Sequence, residues 1–216
     1  MDLDRAAFMR KIGADDAGSR IPLGKAADVR GGRWEHIAWI VEAGGADDLY
    51  HLCNAIFRGD LDLDWLDCGK VVCLRKPGDH DDQESVQVAT DGGRKVRPLG
   101  VPTTLLNLIS AVAAKQFGPE FTAVFDPADE SEEWNPFQAG CSKEGMQQLQ
   151  ITVAELLTAN PSFGVLQLDA ESAFQNASRP AALDRLRQRV PGAYRWAKRC
   201  YGQAARRYLR MEDGSY

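Results

Sequence analysis

The chain has 216 residues, 44% of them hydrophobic and 26% charged, with a formal net charge of −5. That apolar share suffices for a buried core in one domain or in two small lobes, so a globular protein is expected. No stretch approaches the roughly 20 uncharged apolar residues of a membrane helix, and the opening MDLDRAAFMRK lacks the apolar core of a signal peptide. The expectation is an intracellular protein, cytoplasmic or nuclear, with no membrane partner.

In chain order, residues 1–45 read as an N-terminal extension. Leu49, Leu52, Cys53, Ile56 and Phe57 then recur at helical spacing, and Gly59 stands where such a helix stops. Ala46-Asp47-Asp48 opens that helix, where acids suit the positive end of the helix dipole. Asp60 to Asp67 is an acidic loop containing Trp65. Val71-Val72-Cys73-Leu74-Arg75 is a short apolar run ended by Pro77-Gly78 and predicts a strand.

Asp79 to Ser85 predicts a charged turn. Val86–Thr90 and Arg94–Val101 flank Asp91-Gly92-Gly93, whose glycines supply the positive φ of a hairpin turn. Leu105, Ile109 and Val112, with Leu106, Ala113 and Phe117, predict a helix ending at Gly118-Pro119. The acidic stretch Asp126 to Glu133 marks a loop or lobe boundary. Met146, Leu149, Val153 and Leu156 predict a further helix, with Ser142 as N-cap and Asn160-Pro161 as its stop.

Phe163 to Leu168 reads as a strand that ends on Asp169. Ser178-Arg179-Pro180 opens a helix marked by Leu183, Leu186 and Val190, and Pro191-Gly192 breaks it. A last helix is expected through Ala197, Cys200, Tyr201, Ala204 and Tyr208. Helices, a hairpin and single strands together predict an α+β or mixed α/β fold.

Cysteine usage points to packing rather than crosslinking. Cys53, Cys68, Cys73, Cys141 and Cys200 are odd in number, lie in apolar contexts and form no C-x-x-C pair. His36, His51 and His80 are scattered, which speaks against a structural zinc site. Charge is uneven: residues 179–216 hold ten Lys/Arg against three Asp/Glu, a balance of +7, which leaves −12 on the rest. A basic segment of this kind fits phosphate contact or a solvated helical face.

An acid at the end of an apolar strand, as Asp169 is after Val165-Leu166-Gln167-Leu168, is held where a metal ligand is useful; it can equally cap the next turn. Its neighbours extend the pattern. Leu168-Asp169-Ala170-Glu171-Ser172-Ala173-Phe174 is similar to the first palm motif of reverse transcriptases, D-x-x-x-A-[FY]. Upstream, Phe137-Gln138-Ala139-Gly140 followed by Gly145 resembles the Q-x-G segment, and Arg97-Pro98-Leu99 ahead of a helix with Lys115 resembles the fingers motif R-P-[IL]. Trp65 and Val71 to Pro77 resemble the tryptophan and the strand-plus-lysine that precede it. These ordered matches cover roughly residues 50 to 190, and the chain resembles an RNA-directed DNA polymerase of the non-LTR retrotransposon or group II intron type.

That resemblance implies a partial right-hand polymerase fold, with fingers at 46–136 and the start of a palm at 137–216. It implies an RNA template, a DNA primer and deoxynucleoside triphosphates as partners, and Mg²⁺ or Mn²⁺ as cofactor. Nucleotidyl transfer uses two such ions roughly 3.5 to 4 Å apart. Asp169 would bind both, with the Ala170 carbonyl on one of them. Phe174, beside Ala173, would lie under the sugar and exclude a 2′-hydroxyl, which favours DNA synthesis. Lys76, Lys95 and Arg97 would face the triphosphate, where a guanidinium matches phosphate oxygens. Gln138 and Gly140 would touch template or primer backbone. Glu171 is read as solvated, since the family pattern requires no acid there.

The family's second metal motif, an aromatic, any residue and two aspartates, does not follow Asp169 in these 216 residues. The Q-G motif is likewise missing, and the expectation is a fragment inactive as a polymerase by itself. The rival expectations are a non-catalytic RNA-binding remnant and a structural domain with coincidental motifs. Gly18 to Lys25 is one residue too long for a P-loop and is followed by Ala26 instead of Ser or Thr.

Overall fold

The computed structural model describes residues 1–14, 21–61, 66, 69–75, 96–124, 144–166, 176–202 and 207–209, with the backbone path alone for 72–75, 96–99, 207 and 209. Two compact units are present: residues 1–114 with 198–216, and residues 115–197. The described elements are mostly helical with one small sheet, consistent with an α+β class.

The first unit begins with α1 (Arg5–Ile12), capped by the Asp4 carboxylate on the Ala7 amide and closed by Gly13 at φ 73°. Both ends follow ordinary rules: an acid accepts the free amides of the first turn, and glycine takes the left-handed closing position. α2 (Trp34–Glu42) and α3 (Ala46–Arg58) pack on α1 and on each other. The spacing at 49–57 produces the expected helix, with Asp47 and Asp48 in its first turn and Gly59 at φ 75° as its stop.

Phe8, Ile12, Leu49, Cys53, Ile56 and Phe57 form the buried centre of this three-helix layer. Each large apolar side chain there contributes about 1.5–3 kcal/mol by leaving water. Phe8 and Tyr50 meet edge to face at 5.5 Å between ring centroids. The Tyr50 hydroxyl donates to the Leu3 carbonyl at 3.0 Å, and the Leu3 amide donates to Asn54 Oδ1 at 2.8 Å. The first residues are thereby fastened to α3.

β1 (Gly69–Arg75) and β2 (Val96–Pro102) are antiparallel, from Gly69↔Pro102 to Arg75↔Val96. The strand expected at 71–75 therefore pairs with the stretch expected as the second arm of the hairpin; the first arm, Val86–Thr90, and the turn at 91–93 lie outside the described residues. Pro98, opposite Cys73, lacks an amide hydrogen, and β2 lies at an edge of the sheet order β2-β1-β3, where proline is tolerated. α4 (Thr104–Gln116) follows at once, burying Leu108, Ile109, Val112 and Ala113.

β3 (Arg207–Leu209) pairs parallel with β1, Tyr208 opposite Lys70. This corrects the expectation of a helix running through Tyr208. Gly202 explains the break: a Cβ there would stand 2.4 Å from the Lys198 carbonyl oxygen, a closeness that only glycine allows.

In the second unit, α5 (Gly118–Val124) precedes α6 (Gly145–Ala159), which begins after Glu144 at φ 60° and stops at Asn160 as expected. Ser142, the expected cap, lies outside the described residues. The strand expected at 163–168 does not form over its described part: residues 163–166 belong to no sheet, and Leu166 is 82% exposed. An apolar run becomes a strand only where a neighbour takes its amides and carbonyls, and none of the described strands does so. α7 (Arg179–Arg189) starts where Ser178 accepts the Ala181 amide, and α8 (Pro191–Tyr201) starts at the expected proline.

Candidate functional site

Several hydrogen bonds converge on Asp28. Asp28 is 8% exposed, and its carboxylate accepts three backbone amides: Arg30 at 2.8 Å, Gly32 at 2.9 Å and Thr104 at 2.6 Å. A buried carboxylate is stable only when its lone pairs are taken in this way. The first two bonds close the local turn. The third reaches the first residue of α4, so an acid 76 residues upstream serves as that helix's cap.

Gly32 is required beside it, because a Cβ there would lie 2.5 Å from Asp28 Oδ2. The Thr104 hydroxyl then donates back to the Gly32 carbonyl at 3.0 Å, and Lys70 Nζ donates to the Ala27 carbonyl at 2.5 Å. The turn at 27–32 is thus locked to the start of β1 and to α4.

A cavity of about 520 Å³ opens beside this lock, bordered by Asp28 and Thr104 and by Lys11, Lys25 and Lys70. Lys11 Nζ stands 5.5 Å from the centroid of the Trp34 ring, within cation–π range. The Glu35 carboxylate accepts the Gly24 amide at 2.7 Å, and this bond holds its pKa below the usual carboxylate value while fixing the segment that carries Lys25. Three lysine side chains thus border the cavity against one carboxylate.

Of the residues singled out in the sequence, Arg97 lies in β2 opposite Leu74, with only its backbone described. Lys76, Lys95, Gln138, Gly140, Asp169, Ala170, Ala173 and Phe174 lie outside the described residues. Among the described residues no group of three His, Cys, Asp or Glu side chains could hold a metal ion, and no helix is long and apolar enough to cross a membrane.

Sequence reasoning did not find Asp28, Lys11, Lys25 or Lys70. The Gly31-Gly32 pair after Asp28 signals a tight turn, but nothing local signals a partner in α4. No family model, curated protein or solved structure matches the chain.

Proposed function

We propose that these residues supply the fingers and the first palm motif of an RNA-directed DNA polymerase of a retroelement, binding an RNA template and a DNA primer. The observation that carries the reading is the order of elements around Arg97-Pro98-Leu99. A strand carrying that motif pairs antiparallel with the strand at 69–75 and leads directly into a helix, as a fingers hairpin requires. In this reading Lys76, Lys95 and Arg97 face the triphosphate. Asp169 and the Ala170 carbonyl take Mg²⁺ or Mn²⁺, Phe174 with Ala173 borders the sugar, and Gln138 and Gly140 meet the nucleic-acid backbone.

Two-ion chemistry needs more carboxylates than Asp169 alone, so these 216 residues by themselves are expected to bind without extending a primer. The alternative is a non-catalytic RNA-binding remnant. It is favoured by α7, whose Arg179, Arg185, Arg187 and Arg189 are all exposed, with Asp184 the single acid of the helix.

The test is binding of a deoxynucleoside triphosphate in Mn²⁺, compared among the unmodified chain, Arg97→Ala and Asp169→Ala. The polymerase reading predicts binding that Arg97→Ala weakens about tenfold, the effect of losing a charged hydrogen bond. Triphosphate binding indifferent to both substitutions would leave the remnant.

A further inference from the structure

The cavity beside Asp28 lies at the base of the hairpin, where Gly69 faces Pro102 and Lys70 faces Val101. Arg75 and Val96 close the other described end, about 17 Å away at the rise of an extended strand. The cavity therefore lies at the opposite end of the paired strands from Arg75 and Val96.

Its charge is mainly positive. Lys11 comes from α1, Lys25 from the segment before the Asp28 turn and Lys70 from β1. The single carboxylate among its lining residues, Asp28, is already committed to three backbone amides. Lys25 is exposed and makes no hydrogen bond or ion pair among the described residues. Three ammonium groups from three segments, against the single Asp28 carboxylate, leave a formal charge of +2 in the lining, which suits a compact dianion with several oxygens. The volume falls within the range of small-molecule sites, roughly 300–1,000 Å³, and Pro22, Val101, Pro102 and Ala111 add apolar wall on which an organic group can rest.

We propose that this cavity binds a small phosphate monoester, its phosphoryl oxygens held by Lys11, Lys25 and Lys70 and its organic part lying against the proline- and valine-lined wall. Every contributing residue lies between positions 11 and 111. The site therefore stands whether or not the chain derives from a polymerase.

The test is calorimetric titration of the full chain with adenosine 5′-monophosphate, inorganic phosphate and a 5′-hydroxyl oligoribonucleotide, in EDTA at low ionic strength and a pH where the monoester is a dianion. The nucleotide is expected to bind more tightly than inorganic phosphate, which leaves the apolar wall uncovered. Lys25→Gln, an exposed substitution, is expected to weaken it about tenfold without changing the unfolding midpoint. Lys11→Gln is expected to weaken it comparably. Absence of nucleotide binding, affinity unchanged in Lys25→Gln, or a nucleotide no tighter than phosphate would overturn the proposal. Binding of the oligoribonucleotide alone would also overturn it, assigning the lysines to a polynucleotide backbone.

Discussion

The Asp28 carboxylate and the Thr104 amide meet at 2.6 Å across 76 residues of chain, and this bond joins the N-terminal segment to the helix that follows the hairpin. Asp28→Ala removes the cap of α4 and strips the Arg30, Gly32 and Thr104 amides of their shared acceptor. The expected loss is about 2–4 kcal/mol, read as a lower urea midpoint. Asp28→Asn keeps one acceptor oxygen and is expected to lose less.

Gly32 tests the same lock from the other side. Gly32→Ala places a methyl group 2.5 Å from Asp28 Oδ2 and should destabilise by about 1–3 kcal/mol. Gly24→Ala is the contrast: φ is +74° but nothing lies within 4 Å, so only the backbone term of about 1 kcal/mol applies. Urea unfolding of the two variants side by side should rank Gly32→Ala as the more damaging.

Burial pushes the Cys53 thiol up to about 12. The thiolate is the reactive form, so at pH 8 iodoacetamide should spare Cys53 in the native chain and modify it in concentrated guanidinium, as peptide mass mapping would read. The sign for stability follows from linkage. The native thiol keeps its proton where the unfolded thiol loses it, so the contribution is complete below the ordinary value of 9.0 and is lost between there and about 12. Tyr50, also raised by burial, acts in the same direction.

On the acid side the groups run the other way. The Asn54 side-chain amide, with Arg58, lowers the Asp2 pKa, and the Gly24 amide lowers that of Glu35. Their contribution is present above the ordinary values of 3.8 and 4.5 and is lost as pH falls through the lower native values. Glu35→Gln should flatten the fall in urea midpoint between neutral and acid pH. An unchanged slope would remove Glu35 from that account.

Local pattern was enough for α3, whose apolar spacing, acidic first turn and closing glycine all lie within 14 residues. It was enough for α7 as well, which Ser178 and Pro180 announce. It failed at Tyr208, where helical spacing continues past Gly202 but pairing with Lys70 decides the outcome. It failed again at 163–166, where apolar residues find no strand partner among the described ones. The polymerase-like motifs rest on the sequence alone, since their site residues, the Arg97 backbone apart, lie outside the described residues. The lysine cavity is not legible in the sequence, because Lys11, Lys25 and Lys70 come together only through packing of α1, the Asp28 turn and β1.

The most direct measurement of the polymerase reading is binding of a deoxynucleoside triphosphate to the chain in the presence of an RNA template annealed to a DNA primer, followed against salt concentration with and without the paired substitution Lys95→Ala and Arg97→Ala. The account predicts binding whose logarithm falls linearly with the logarithm of salt, with a shallower slope in the double variant as phosphate contacts are lost. Absence of binding at low salt, or a slope untouched by the two substitutions, would contradict it.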